Sequence, residues 1–292
     1  MNRGEIVKTK NIRTVVYHVL VCGFGLAMLY PLCWMFMSSF KETSTIFTTA
    51  GSLIPVKFTT ENYANGWRGF AGVSFGTFFK NSLFIAIVGT IGTLASSACV
   101  AYGFARCQFR GKKILFGAML ASTMLPGQIL MVPQYLWYEK LGWVGSFSPL
   151  IVPFFFAIQG FFVYLMMNFI EGIPTELDEA AKIDGCSYYG IFFRIILPLM
   201  APSLITGGIF SFMWRWDDFM SALLYINDAA MYPVALALKL FCDPGSSSDY
   251  GAMFAMATLS VVPVSYTHLM RKDRDAPPSP LLQENLPYWG YG

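Results

Sequence analysis

Between Glu179 and Pro198 the chain reads Glu-Ala-Ala, three residues, Gly185, nine residues, Ile195, one residue, Leu197-Pro198. These residue types do not make or break bonds; the chemistry open to them is docking. Ala180, Ala181, Glu179 and Lys182 favour a short helix through Ile183. Gly185 permits a sharp turn after it. Pro198 is expected near the start of the next apolar helix, where its missing N–H costs little. The predicted product is a small polar helix held stiffly between two apolar segments, a form that an outside motor could push. Glu179 and Asp184, with Glu171, Glu176 and Asp178, make the stretch acidic, so a groove with a basic rim would suit it.

Other chemistries lack their residues. Gly111-Lys112-Lys113 has neither the upstream glycine nor the Ser/Thr of a phosphate-binding loop. No H-E-x-x-H or G-x-S-x-G occurs. The cysteines, 22, 33, 99, 107, 186 and 242, form no C-x-x-C and are expected to behave as small buried apolar residues. His18 and His268 have no ligand-like spacing. Five amides lie in or beside apolar runs: Asn81, Gln128, Gln134, Gln159 and Asn168. Polar groups are costly in lipid, so their placement suggests either a lined path or helix–helix hydrogen bonds. Pro126-Gly127 and Pro133 are expected to break their helix, and broken helices often line substrate sites. That makes Gln128 the first candidate, with Tyr135 and Trp137 as aromatic faces nearby.

These residues must be positioned by membrane helices. The chain has 292 residues, 55% hydrophobic and 13% charged, with net charge +3. Soluble domains carry about 25% charge, so the deficit indicates a membrane protein and gives no support to nucleic-acid binding. Uncharged runs of about 20 residues are needed to cross a bilayer. They occur at 14–40, 81–105, 114–138, 141–170 and 195–214, with a weaker sixth at 250–270. The first is too long for a signal peptide and lacks a small-residue cleavage site, so an uncleaved span is expected.

Lysine and arginine placement sets orientation. Arg3, Lys8, Lys10 and Arg13 precede the first span; Arg106, Arg110, Lys112 and Lys113 crowd the link between the second and third; Arg271, Lys272 and Arg274 follow the sixth. All fall on one side if the N-terminus is cytoplasmic, and the Glu179–Pro198 stretch then lies there too. The outer segments are 41–80, expected as loop with short helical pieces, and 215–249.

The Glu-Ala-Ala, Gly and Ile-x-Leu-Pro positions resemble the EAA loop of membrane subunits of binding-protein-dependent ABC importers. Pro55-x-x-Phe58-Thr59-x-Glu61-Asn62-Tyr63, Ile173-Pro174-x-Glu176-Leu177 and Trp214-Arg215-Trp216-Asp217-Asp218-Phe219 resemble the carbohydrate-uptake, maltose-type group. The resemblance implies an all-α, six-helix permease, multi-pass in the inner membrane. Residues 1–13 would be a cytoplasmic segment and 14–262 the permease domain, with its coupling loop at 171–198. It implies a second, different permease subunit, two cytoplasmic ATPases that use ATP and magnesium, and an external solute-binding protein. No cofactor or metal would be bound by this chain. The EAA residues carried over are Glu179, Ala180, Ala181, Asp184, Gly185, Ile195, Leu197 and Pro198.

An importer for amino acids, peptides or anions is the alternative. A secondary transporter or channel fits less well, because the five strong spans contain no Asp or Glu for ion coupling. After Pro263 the text turns polar, and the proline-rich end reads as disordered. Residues 263–292 are therefore expected to depart from a native permease ending.

Overall fold

The computed structural model describes the backbone of residues 3–241 and 249–272, and the side chains of 14–241 and 249–263. The described residues are helical throughout, apart from loops and one isolated bridge between Phe70 and Val73. In chain order the α-helices are α1 (Arg3–Ser38), α2 (Glu61–Arg68), α3 (Phe75–Arg106), α4 (Lys112–Thr123), α5 (Gly127–Lys140), α6 (Ser148–Ile151) and α7 (Gly160–Glu171). They continue as α8 (Glu176–Ile183), α9 (Tyr188–Ile191), α10 (Leu197–Leu199), α11 (Ala201–Trp216), α12 (Phe219–Tyr225), α13 (Val234–Leu240) and α14 (Tyr250–Lys272).

Among the described residues, three stretches are long and apolar enough to cross a bilayer: Thr14–Ser38, Phe75–Arg106 and Ser148–Glu171. Two bent pairs add to them. α4 and α5 meet at 100°, and Tyr188–Leu199 meets α11 at 73°. Tyr250–Pro263 is apolar but shorter. The chain forms two compact units, Met1–Gly76 with Ala237–Leu259, and Thr77–Leu236 with Ser260–Gly292.

In the first unit, residues 14–33 of α1 expose their side chains all round, and Trp34, Met35 and Met37 after them are half-buried. The 41–80 segment contains α2 and a 3₁₀ turn at Thr43–Thr45, as expected, and α3 has begun by Phe75. Asn62 ties this region together. Its Nδ2 donates to the Ser39 carbonyl at 2.8 Å and the Lys41 carbonyl at 2.7 Å. Lys41 is 2% exposed, and its Nζ donates to the carbonyls of Thr49 and Ser52. Tyr63 lies beside the Phe40 ring and shares a 2.8 Å hydrogen bond with Ser39. Gly251 on α14 has to be glycine: a Cβ there would stand 2.3 Å from Asn62 Oδ1.

The second unit packs its main core between α3, α7 and the segment from α8 to Met200. Ala98, Ala101 and Tyr102 from α3 meet Val163, Met166 and Ile170 from α7, with Ala181, Ile191, Phe192, Ile196 and Met200. A second cluster sets Ile85 against Leu150, Ile151, Tyr225 and Ile226.

Two expectations need correction. Pro126 does break the third span, but Pro133 sits inside α5, which continues to Lys140. Pro198 lies near a helix start, as the second residue of α10, and a π turn at Phe192–Ile196 precedes it before the 73° bend. The reason is steric. In an α-helix the Pro198 ring would strike the carbonyl of Arg194, and the wider turn just before it relieves that clash. The first turn of the resumed helix α11 carries a second proline, Pro202. Second, none of the five described cysteines is buried: 22, 33 and 99 are exposed, and 107 and 186 are half-buried. Much apolar surface in this chain faces outward, toward lipid or other subunits, and the thiols go with it. Cys242 lies outside the described residues. α14 continues helically past Pro263 to Lys272, and 273–292 lie outside the described residues.

Candidate functional site

α8 is a two-turn helix with a buried back and an exposed front. Glu176, Asp178 and Glu179 occupy its first turn and Lys182 its last, the arrangement that complements a helix dipole. Ala181 is buried in the core, whereas Glu179, Ala180, Lys182 and Asp184 are exposed, and Ile183 is 86% exposed. Gly185 adopts φ +81°, the left-handed turn expected of it, and no atom crowds it. The Gly185 N–H donates to Lys182 O and the Cys186 N–H to Ala181 O, closing the helix end. Ser187 then caps α9 by accepting from the Gly190 N–H. Beside α8, Tyr188, Tyr189 and Phe193 are exposed. Ile195 and Leu197 are half-buried against the core, and Pro198 is exposed. The eight motif residues thus divide into a presented face and an anchored back.

The anchor is electrostatic as well as apolar. Asp178 is not part of the acidic face expected of it; it is buried. Its Oδ2 lies 2.9 Å from Arg106 Nε, with both side chains 8% exposed. The contact is an ion pair without hydrogen-bond alignment, so Nε and Asp178 Oδ1 have no hydrogen-bond partner. Arg106 Nη2 also donates to the Ile170 carbonyl at 3.1 Å and to the Ile173 carbonyl. One guanidinium therefore joins the C-terminal ends of α3 and α7 to the first turn of α8. Tyr102, one turn earlier on α3, donates its hydroxyl to the Tyr188 carbonyl at 3.3 Å and sets its ring 5.0 Å from Phe192. A cleft of about 450 Å³ opens beside this joint, lined by Cys99, Gly103, Cys107, Tyr188, Tyr189 and Phe193 among others.

The five amides are not brought together. Asn81 and Arg106 are separated by most of α3, about 38 Å at 1.5 Å per residue. Asn81 is buried, and its Nδ2 donates to the carbonyls of Ala230 and Tyr232. Gln134 and Asn168 are exposed. Gln128 lies at the bend between α4 and α5, in a groove of about 400 Å³ with Met131, Val132, Tyr135, Met220, Leu223 and Leu224. Trp137 is exposed but does not line that groove. Gln159 sits where α6 and α7 are interrupted, in a break pinned by Ser96. The Ser96 hydroxyl donates to the Phe154 carbonyl and accepts from the Ala157 N–H.

A second buried guanidinium lies at this break and was read from sequence only as part of an outer segment. Arg215, in the last turn of α11, is 7% exposed. Its Nη2 donates to Thr93 Oγ1 at 2.6 Å and, at 3.5 Å, to Gln159 Oε1. Nη1 donates to Ser211 Oγ at 3.0 Å, and the Phe154 ring centre lies 3.6 Å from the guanidinium carbon. Among the described residues no carboxylate comes into ion-pair contact with it: Asp218 acts on it only through space, and accepts from the Ser221 N–H to cap α12. Gly89 makes room for it, since a Cβ there would stand 2.4 Å from Arg215 Nε.

Comparison with known proteins gives one pattern. Residues 98–270, more than half of the chain and extending past Pro263, match the family described as the binding-protein-dependent transport system inner membrane component. The chain is 34% identical to the probable ABC transporter permease protein YurM of Bacillus subtilis (strain 168), over 84% of this chain and 80% of the relative. It is 32% identical to the trehalose transport system permease protein SugB of Mycobacterium tuberculosis (strain CDC 1551 / Oshkosh), over 85% and 88%. Its fold is similar to a chain of a bacterial ABC transporter involved in the import of the acidic polysaccharide alginate. That match has a TM-score of 0.80 and 22% identity, and covers 94% of this chain and 99% of that one.

Proposed function

Because the chain belongs to the family of binding-protein-dependent transport system inner membrane components, we propose that α8 and Gly185 form the surface on which a cytoplasmic ATPase pushes. The protein is a non-catalytic, multi-pass permease subunit of an ABC importer. What carries the coupling reading is the division of α8: Glu179, Ile183 and Asp184 outside, Ala181 and Asp178 locked inside. Its helical residues give a stiff lever, and Tyr188, Tyr189 and Phe193 extend the exposed face with aromatic surface. ATP-driven closure of two ATPases would draw two such levers together and tilt the attached spans.

The partners proposed are a second, different permease subunit, two ATPases that bind the ATP and magnesium, and an external solute-binding protein. The N-terminus is placed in the cytoplasm. The basic clusters favour that orientation, and the Arg106–Asp178 pair supports it by setting the link after the second span beside α8. The solute proposed is a carbohydrate, supported by the trehalose permease among the relatives. Gln128, at the bend of the third span and flanked by Tyr135, is the path residue of choice: an amide that can bond sugar hydroxyls beside an aromatic face.

Co-purification of the ATPase with Glu179→Lys tests the coupling surface. Loss of the ATPase with normal membrane insertion is expected; retention of ATPase with wild-type transport would overturn it. Labelling of a single cysteine at position 184 from outside intact cells would overturn the orientation.

A further inference from the structure

Chain connectivity alone would pass motion of α8 only to the spans on either side of it, the one ending in α7 and the one beginning at α9. The second span, α3, is distant in sequence, yet its end is gripped by the same segment. Ala98, Ala101, Tyr102, Ala105 and Arg106 recur at spacings of three, one, three and one residues. That places them on one helical face, and all but Arg106 belong to the core shared with α8 to Met200. Arg106 completes the grip through Asp178 and the Ile170 and Ile173 carbonyls.

We infer that the Arg106–Asp178 pair is a positioning joint that delivers the ATPase stroke to the second span, so that three spans move as one body. The inference rests on the coupling role proposed for α8. A buried ion pair is a poor device for stability, because apolar residues often do as well, but a good one for fixing a single geometry. A joint built only from greasy contacts could slide along the α3 face. A guanidinium held between a carboxylate and two carbonyls cannot, because any slip leaves a charge without its counterion.

The test uses the full importer, with its ATPases, binding protein and partner permease, reconstituted in vesicles. Two variants probe the joint: Asp178→Asn and Arg106→Lys, the second keeping the charge but losing the planar fork. Both leave the exposed α8 face untouched, so the ATPase should still co-purify. Solute transported per ATP hydrolysed should fall about tenfold, within the range of known couplings between sites. In a background where Cys107 is the only cysteine, its labelling rate should respond to ATP trapping in the parent and not in either variant; a merely structural pair would not produce that difference. If either variant inserts, binds ATPase and keeps both the parental coupling ratio and the ATP-dependent labelling, the joint is refuted. Failure of the α8 docking role would show separately, as ATPase retained by Glu179→Lys.

Discussion

Arg106 and Arg215 each end a long helix, and each buries its guanidinium, but their surroundings answer the charge differently. Arg106 has a carboxylate at 2.9 Å and two carbonyls. Arg215 has two hydroxyls, the Ser211 carbonyl, a distant amide and an aromatic face, and among the described residues no carboxylate in ion-pair contact, Asp218 acting on it only through space. The first site joins three helix ends and couples them by charge. The second fills the gap at an interrupted helix and holds it by many weak contacts. The coupling role proposed for α8 asks for the first kind of fixture, one that does not slip; the second kind keeps a broken span in place.

The largest expected difference between the sites is in stability. Asp178→Asn leaves Arg106 buried and unpaired, which should cost about 3–5 kcal/mol. The double variant Arg106→Met with Asp178→Leu should be no less stable than the parent. Arg215→Leu takes a donor from two hydroxyls, the Ser211 carbonyl and the Gln159 amide, and loses a ring contact, all neutral groups, so about 1–3 kcal/mol is expected. Thermal unfolding of the purified subunit in detergent measures all three. Equal losses for Asp178→Asn and Arg215→Leu would erase the distinction.

Next comes space. Gly89→Ala drives a methyl into Arg215 Nε and should cost about 1–3 kcal/mol by overpacking. Combining it with Arg215→Leu should recover most of that loss, a double-mutant cycle that assigns the cost to the contact. Simple additivity would show that Gly89 serves another neighbour.

A smaller effect follows at the turn that ends α8. Gly185→Val forces a β-branched residue to φ +81°, at about 1–2 kcal/mol, while Gly185→Asn should cost less because Asn tolerates that conformation. The same melting assay tests the ranking. The smallest stability change is expected at the exposed face, where Glu179→Lys should stay within about 0.5 kcal/mol although it is expected to abolish ATPase binding. A large destabilisation there would mean that Glu179 belongs to the anchored side.

Local signals in the sequence were informative where the physics is local. Helix propensity and one glycine sufficed to place α8 and its turn, and Pro126-Gly127 marked the bend of the third span. The alternation within α8 was less visible: Asp178 and Glu179 are neighbours of like charge, and only the packed fold shows that one is buried and the other exposed. Arg106 read as one of several basic residues setting orientation, because its partners are Asp178 and two carbonyls more than sixty residues away in sequence. Arg215 read only as the start of an outer segment, for a similar reason: what shelters it is Gly89, Thr93 and Phe154, all from other segments. Of the five amides, Asn81 is committed to the loop at Ala230–Tyr232, and a one-dimensional reading cannot separate such a tie from a path.

The π turn at Phe192–Ile196 carries a consequence for insertions and deletions. An α-helix advances by about 100° per residue, so a wider turn resets the angular phase of everything after it relative to α9. Ile191, Ile196 and Met200 all reach the same core only because of that reset. Deleting one residue from this stretch could restore a regular helix and yet swing the later contacts away from the core. The length of this segment, counted in single residues, is therefore under a geometric constraint that its composition does not reveal.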